Sequence, residues 1–84
     1  MNPRKLLEKA MNAPHNLRFA DLCALAAAFG YSLDRVKGSH HIFVHPQADR
    51  PLSLQSAGGK AKPYQIRQLL RDIEEFHLIP FLHH

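Results

Sequence analysis

The hydrophobic pattern changes its period at Gly30, and this change limits the chain to folds that combine helices with a small sheet. Before Gly30 the apolar residues recur at helical spacing, and Gly30 itself stands where a C-terminal helix cap belongs. After it, residues 31–36 and 40–45 are predicted as strands joined by a turn at Lys37–Ser39, and residues 52–55 alternate as a third strand. Because short connections favour antiparallel pairing, we predict a three-stranded antiparallel sheet.

Three helices are predicted around these strands. Asn2 followed by Pro3 marks the start of the first helix, and residues 12–14 end it. The second helix is predicted from about Phe19 to Phe29, and the third begins at Pro63. One apolar face of the third helix is predicted to be buried, with its charged residues mostly on the opposite face: Arg67, Arg71, Asp72, Glu74 and Glu75.

The predicted order is helix, helix, three strands, helix, which makes an α+β domain. A three-stranded sheet cannot bury its apolar face alone, so we expect helices to cover that face in a two-layer architecture. The 84 residues are enough for one domain and too few for two.

The cysteine content and the hydropathy pattern exclude several classes of protein. The single cysteine, Cys23, cannot form an internal disulfide, so it is predicted as a small core residue and a disulfide-stapled secreted domain is excluded. No apolar run approaches the ~20 residues of a membrane span, and charges interrupt the apolar patch near the N-terminus. We therefore expect a soluble cytoplasmic protein without a membrane partner.

The positive charge is concentrated in the middle of the chain. The formal net charge of +4 is the sum of +5 in residues 35–67, +1 in residues 1–34 and −2 in residues 68–84. A basic region on a small domain suggests a polyanionic partner, most often nucleic acid. A solvated surface without a partner is the alternative that charge alone leaves open.

Three histidines lie close together in the segment 38–46, so a metal site is the first possibility to consider. Neighbours on a strand point to opposite faces, which separates His40 from His41. His41 and His45 share a face but lie roughly 13 Å apart at ~3.3 Å per residue, whereas zinc ligands lie about 2 Å from one ion. The strand geometry argues against a local metal site, and no cofactor is predicted.

The same alternation raises the question of which face of this strand is covered. We expect Ile42 and Val44 to face the helices, which leaves His41, Phe43 and His45 on the open face. An accessible histidine beside an aromatic ring and several cations suits RNA, since aromatic rings stack on bases and cations hold phosphates. The alternative is that Phe43 belongs to the core and His41 only fills a position in the sheet.

Two segments, Gly38–Pro46 and Gly59–Leu70, together resemble the HicA (YcfA-like) family, the RNA-cleaving toxins of type II toxin–antitoxin pairs. The resemblance covers about residues 17–76, and the preceding helix resembles that of longer members. It implies a fold like that of a double-stranded-RNA-binding domain, three strands flanked by helices. Within the single domain 1–84 it implies a core at 17–76, an N-terminal helical extension at 1–14 and a tail at 77–84.

The resemblance also implies a site. In the family the functional histidine follows Gly-Ser and one variable residue, which corresponds to His41 here and leaves His40 in the variable place. A histidine has an unperturbed pKa of about 6.5 and can exchange a proton near neutral pH, while RNA carries its own nucleophile, the 2′-hydroxyl. The implied activity is that of an endoribonuclease acting on mRNA, neutralised by a HicB-type antitoxin. The residues expected to bind RNA are Lys37, Ser39, Lys60, Lys62 and Arg67.

Two other functions stay open at this point. A non-catalytic RNA-binding module would have the same basic surface and fold but no turnover. An adaptor would act mainly by forming a complex with a protein partner. The pattern assigns no role to His45 or to the paired histidines at the end of the tail, His83 and His84.

Overall fold

The computed structural model describes residues 2–80, so Met1 and the end of the predicted tail, 81–84 with His83 and His84, lie outside the described residues. The α+β fold and its order α-α-β-β-β-α are confirmed, with a short 3₁₀ turn at Pro14–Asn16 between the first two helices. Among residues 2–80, no helix combines the length and the apolar character that crossing a membrane needs. The elements are α1 Pro3–Asn12, α2 Phe19–Ala28, β1 Ser32–Lys37, β2 His40–Val44, β3 Leu52–Gln55 and α3 Pro63–Glu75.

Local capping explains where the first two helices begin. The Asn2 side chain accepts a hydrogen bond from the backbone N–H of Lys5 at 2.9 Å, which satisfies one of the free donors at the start of α1. At the start of α2, the backbone N–H and the guanidinium of Arg18 both donate to the Asp21 carboxylate. Hydrogen bonding to Arg18 holds the pKa of Asp21 below its ordinary value. Gly30 follows α2 with a φ of 94°, a backbone conformation that favours glycine.

The strands form one antiparallel sheet in the order β1-β2-β3. Phe43 lies opposite Leu52 and His41 lies opposite Leu54, so these four residues share one face. Leu52 and Leu54 are buried in the core, which shows that this face lies under the helices.

The prediction that the helices cover the Ile42 and Val44 face of β2 is therefore wrong. Phe43 is only 5% exposed and belongs to the core, whereas Val44 is exposed and Ile42 pairs with Ser53 on the other face. Alternation defines two sets of residues but does not say which set the helices cover. The larger Phe43 ring fills the space beneath the helices, and this confirms the alternative in which Phe43 is a core residue.

Strand β1 lies at the edge of the sheet and is exposed along its whole length. The helices leave Leu33 and Val36 about half exposed, at 51% and 52%. The pairing with β2 shifts between Leu33 and Arg35, so Asp34 forms a β-bulge. The bulge and the charged side chains of β1 are features that discourage pairing with another chain.

An ion cluster that the helical pattern did not predict joins the loop between β2 and β3 to α3. Asp72 was expected on the polar face of α3, but it is fully buried. Arg50, from the loop between β2 and β3, donates to the Asp72 carboxylate at 2.6 Å and to Glu75 at 3.0 Å, and Gln68 donates to Asp72 at 2.9 Å. The buried carboxylate is tolerated because these partners compensate its charge.

Candidate functional site

His41 lies in the middle of the sheet and is positioned by the first residue of α2. Its ring packs edge-on against the ring of Phe19, with 5.0 Å between the ring centroids and 67° between the planes. The residue is half-buried, and of its two ring nitrogens only Nδ1 is buried without a hydrogen-bond partner in the described residues. Nε2 is therefore the ring nitrogen that can meet a ligand.

The basic loop that precedes α3 is tied to the start of α2. The backbone N–H of Phe19 donates to the Gly59 carbonyl at 2.9 Å, and that of Ala61 donates to the Leu17 carbonyl at 3.0 Å. Gly59 adopts a φ of 86°, which the tight turn of this loop requires. Lys60 thereby lies beside the α2 start, whose Phe19 contacts the candidate catalytic His41.

A second connection joins Ser39 and Lys62, two of the predicted RNA-binding residues, through a residue that the sequence did not single out. The ammonium of Lys62 donates to Oε1 of Gln55 at 2.8 Å, and Nε2 of Gln55 donates to Oγ of Ser39 at 2.7 Å. The network links the turn before His41, the end of β3 and the residue that precedes α3. We call Ser39, Gln55 and Lys62 the amide network.

The amide network is anchored on a buried glutamine of α3. The backbone N–H of Gln55 donates to Oε1 of Gln65 at 2.9 Å, and Gln65 is only 5% exposed. A sequence signal for both residues was present: Gln55 ends the alternation of β3, and Gln65 stands next to Ile66 on the apolar stripe of α3. A polar side chain on a buried stripe usually has a hydrogen-bond partner.

The remaining predicted cations lie at the surface. Lys37 ends β1, and Lys60 and Arg67 are exposed on the loop and on α3. Within residues 2–80, no side-chain hydrogen bond joins these three to the amide network. The structure thus forms two groups of predicted site residues: His41 lies near Lys60 through Phe19, and Ser39 is joined to Lys62 through Gln55. Among residues 2–80 it shows no such connection for Lys37 or Arg67.

The ion pairs of the molecule leave the predicted cations available. Arg18 pairs with Asp21, Arg35 pairs with Asp34, and Arg50 pairs with the carboxylates of α3. None of the salt bridges among the described residues involves Lys37, Lys60, Lys62 or Arg67. The positive charge of this group is therefore free to attract an anion.

The other two histidines of the motif point elsewhere. His40 lies on the open face, with its Nδ1 3.2 Å from Oγ of Ser53. His45 accepts a hydrogen bond on Nδ1 from the Gln47 backbone N–H, so its Nε2 carries the proton and donates to the Phe29 carbonyl at 2.9 Å. His45 therefore fastens the end of β2 to the end of α2. In the part of the chain that the structure describes, no three potential ligands converge on a metal position.

Comparison with known proteins identifies the family. A family model described as the HicA toxin of bacterial toxin–antitoxin systems matches residues 19–74, which is more than half of the chain and includes both motifs. The curated proteins and the solved structures gave no match. The match spans the start of α2, the whole sheet and almost all of α3, so it covers every element that positions the candidate site. The chain belongs to the HicA family of toxins from bacterial toxin–antitoxin systems.

Proposed function

We propose that this toxin is an endoribonuclease that cleaves mRNA in the cytoplasm with His41 as its single catalytic histidine. The observation that carries the proposal is the environment of His41: a half-buried ring packed against Phe19, with Nδ1 buried and the free cations of the basic loop nearby. Family membership supports the role as a toxin, and the position of His41 after Gly-Ser and one further residue supports its choice as the catalytic residue.

The chemistry needs little from the protein beyond proton transfer and charge stabilisation. The 2′-oxygen of RNA attacks the adjacent phosphorus while the bond from phosphorus to the 5′-oxygen breaks. His41 either removes the 2′-hydroxyl proton while water protonates the leaving oxygen, or protonates the leaving oxygen while water accepts the 2′-hydroxyl proton. Proton transfer of this kind contributes about 10²–10⁴ in rate. The cations Lys37, Lys60, Lys62 and Arg67, with Ser39, hold the phosphates and offset the developing negative charge.

One feature of His41 favours the non-catalytic alternative. A catalytic histidine is commonly oriented by a hydrogen bond on its second nitrogen, and Nδ1 of His41 has no such partner in the described residues. In our proposal, packing against Phe19 fixes the ring plane in place of that hydrogen bond. If the ring is not held well enough to transfer protons, the same surface is an RNA-binding module without turnover.

Cleavage of a single-stranded RNA by three purified proteins tests the proposal. The wild type and His40→Ala are expected to cleave, because His40 lies on the open face, whereas His41→Ala is expected to lose activity by about 10²-fold or more. Circular dichroism confirms that each variant is folded, and a DNA strand of the same sequence should stay intact because it lacks the 2′-hydroxyl. Equal cleavage by wild type and His41→Ala would contradict the assignment, and RNA retention without cleavage by the wild type would select the binding module.

We further propose that a HicB-type antitoxin neutralises the toxin by covering this surface. Expression of the toxin alone is expected to stop bacterial growth, and co-expression of the antitoxin is expected to restore it. The His41→Ala variant provides the control, since it should permit growth without the antitoxin. Normal growth under strong expression of the wild-type toxin alone would count against toxicity.

A further inference from the structure

We infer that Gln55 is a positioning residue that aims Lys62 and Ser39 at the phosphates of the bound RNA strand. The inference rests on the proposed function, because it concerns how the same site holds its substrate. Gln55 lies outside both sequence motifs of the site, at the last position of β3.

The orientation of the Gln55 amide is unambiguous. The ammonium of Lys62 is only a donor, so the atom 2.8 Å from it must be the amide oxygen. The NH₂ group of Gln55 then points to Ser39 Oγ at 2.7 Å. One carboxamide therefore holds both side chains at the same time.

The amide network leaves several hydrogen-bond donors unused. Ser39 Oγ accepts from Gln55, so its own O–H proton is free to donate to another atom. Lys62 uses one of its three N–H groups on Gln55, which leaves two. These free donors lie beside the turn that precedes His41, and all of them suit the oxygens of a phosphate.

Gln55 is supported by regular secondary structure on two sides. The backbone of Gln55 is held by the buried Gln65 side chain, and its own strand is paired with β2 through His40. A long lysine side chain that is already held in place loses less conformational freedom when it binds a ligand. Groups that a site supports from rigid strands and helices stay within the narrow range of geometry that catalysis needs.

A double-mutant cycle tests whether Gln55 acts through Lys62. Gln55→Met keeps the length of the side chain and the backbone hydrogen bond to Gln65 but removes both amide contacts. We expect kcat/KM for RNA to fall about tenfold in Gln55→Met, since a small misplacement of a binding group is costly. In a Lys62→Met background the same change is expected to alter kcat/KM by less than about twofold, because the two residues act as a unit.

A charged variant tests whether the phosphates of the RNA lie beside Gln55. Gln55→Glu still accepts a hydrogen bond from Lys62, but its carboxylate accepts from the Ser39 hydroxyl and repels RNA. Its loss of RNA affinity is expected to exceed that of Gln55→Met at low salt and to approach it at high salt. A loss that does not depend on salt would show that no RNA phosphate lies near this position, which would contradict the inference.

Ser53→Ala is the matched control, because Ser53 lies on the neighbouring position of the same strand face and bonds His40. It should keep wild-type activity. Wild-type kcat/KM in Gln55→Met, or equal losses in the presence and absence of Lys62, would overturn the role of Gln55 while the function of His41 stands. Absence of cleavage by the wild type would instead overturn the proposed function and the inference with it.

Discussion

The two ends of α3 are both joined to the sheet by polar side chains, but in opposite ways. At the C-terminal end, Arg50 forms salt bridges with the carboxylates of Asp72 and Glu75. Its guanidinium carbon lies 4.8 Å from the centroid of the Phe76 ring. At the N-terminal end, the amide network contains a single charge, the Lys62 ammonium, held by a neutral amide. The first junction sets one positive charge against two carboxylates and so has no positive charge left over, whereas the second leaves a positive charge uncompensated.

This difference separates a structural junction from a binding site. An arginine that is surrounded by carboxylates has little left to offer a ligand, and the hydrogen bonds to Glu75 and Asp72 raise the Arg50 pKa further above its ordinary value. A lysine held by a neutral amide keeps its full attraction for an anion. Both residues lie in the basic middle segment of the sequence, so charge counting alone treats them as equivalent.

The largest expected effect is on stability at the C-terminal junction. Arg50→Met leaves the Asp72 carboxylate buried without its cation, and we expect the melting temperature to fall by about 10 °C. The melting temperature of Arg50→Lys, which retains the positive charge, should fall less. Thermal melts by circular dichroism measure both, and RNA affinity of the folded variants should stay at the wild-type level. An unchanged melting temperature in Arg50→Met would show that the junction is not structural.

The next effect is on RNA binding at the N-terminal junction. Lys62→Met removes one phosphate contact, so the slope of log affinity against log salt for single-stranded RNA should become shallower by about 0.7. The melting temperature should change little, since Lys62 forms no salt bridge in residues 2–80. Lys5→Met is the control, because Lys5 is an exposed cation of α1 outside the site. Equal slopes for wild type and Lys62→Met would remove Lys62 from the interface.

The smallest effect is the response of the C-terminal junction to acid. Hydrogen bonding to Arg50 lowers the pKa of Glu75 below its ordinary value of 4.5, so Glu75 contributes stability above that pH and loses it as the pH falls through the lower pKa of the folded state. Glu75→Gln is therefore expected to melt a few degrees below the wild type at pH 7, with the difference vanishing in acid. A constant difference across this pH range would contradict the electrostatic origin.

The sequence predicted the features that depend on local chemistry. The Asn2 cap, the glycine after α2, the start of α3 at Pro63 and the bounds of β3 agree with the structure because each depends on neighbouring residues. The position of His41 in its motif was likewise readable, and its catalytic role is still a prediction.

What the sequence did not predict depends on partners that are distant along the chain. Which face of β2 is covered depends on the volume beneath the helices, so Phe43 was placed on the wrong side. Asp72 can be buried because Arg50, 22 residues earlier in the sequence, donates to its carboxylate. The side chain of Gln55 bonds Ser39, 16 residues earlier, and Lys62, which follows the glycine loop, and neither partner can be read from the residues next to Gln55.

The hydrogen bonds that tie the basic loop to the start of α2 have a consequence for the order in which the site forms. The backbone of Leu17 bonds that of Ala61 and the backbone of Phe19 bonds that of Gly59, so the two parts of the site come from segments that are far apart in the sequence. Contacts between residues far apart in sequence form late, because a long loop must first be closed. We therefore expect a newly synthesised chain to lack the assembled site until residues 59–61 have been made and have closed onto the start of α2, which delays the toxicity of each molecule.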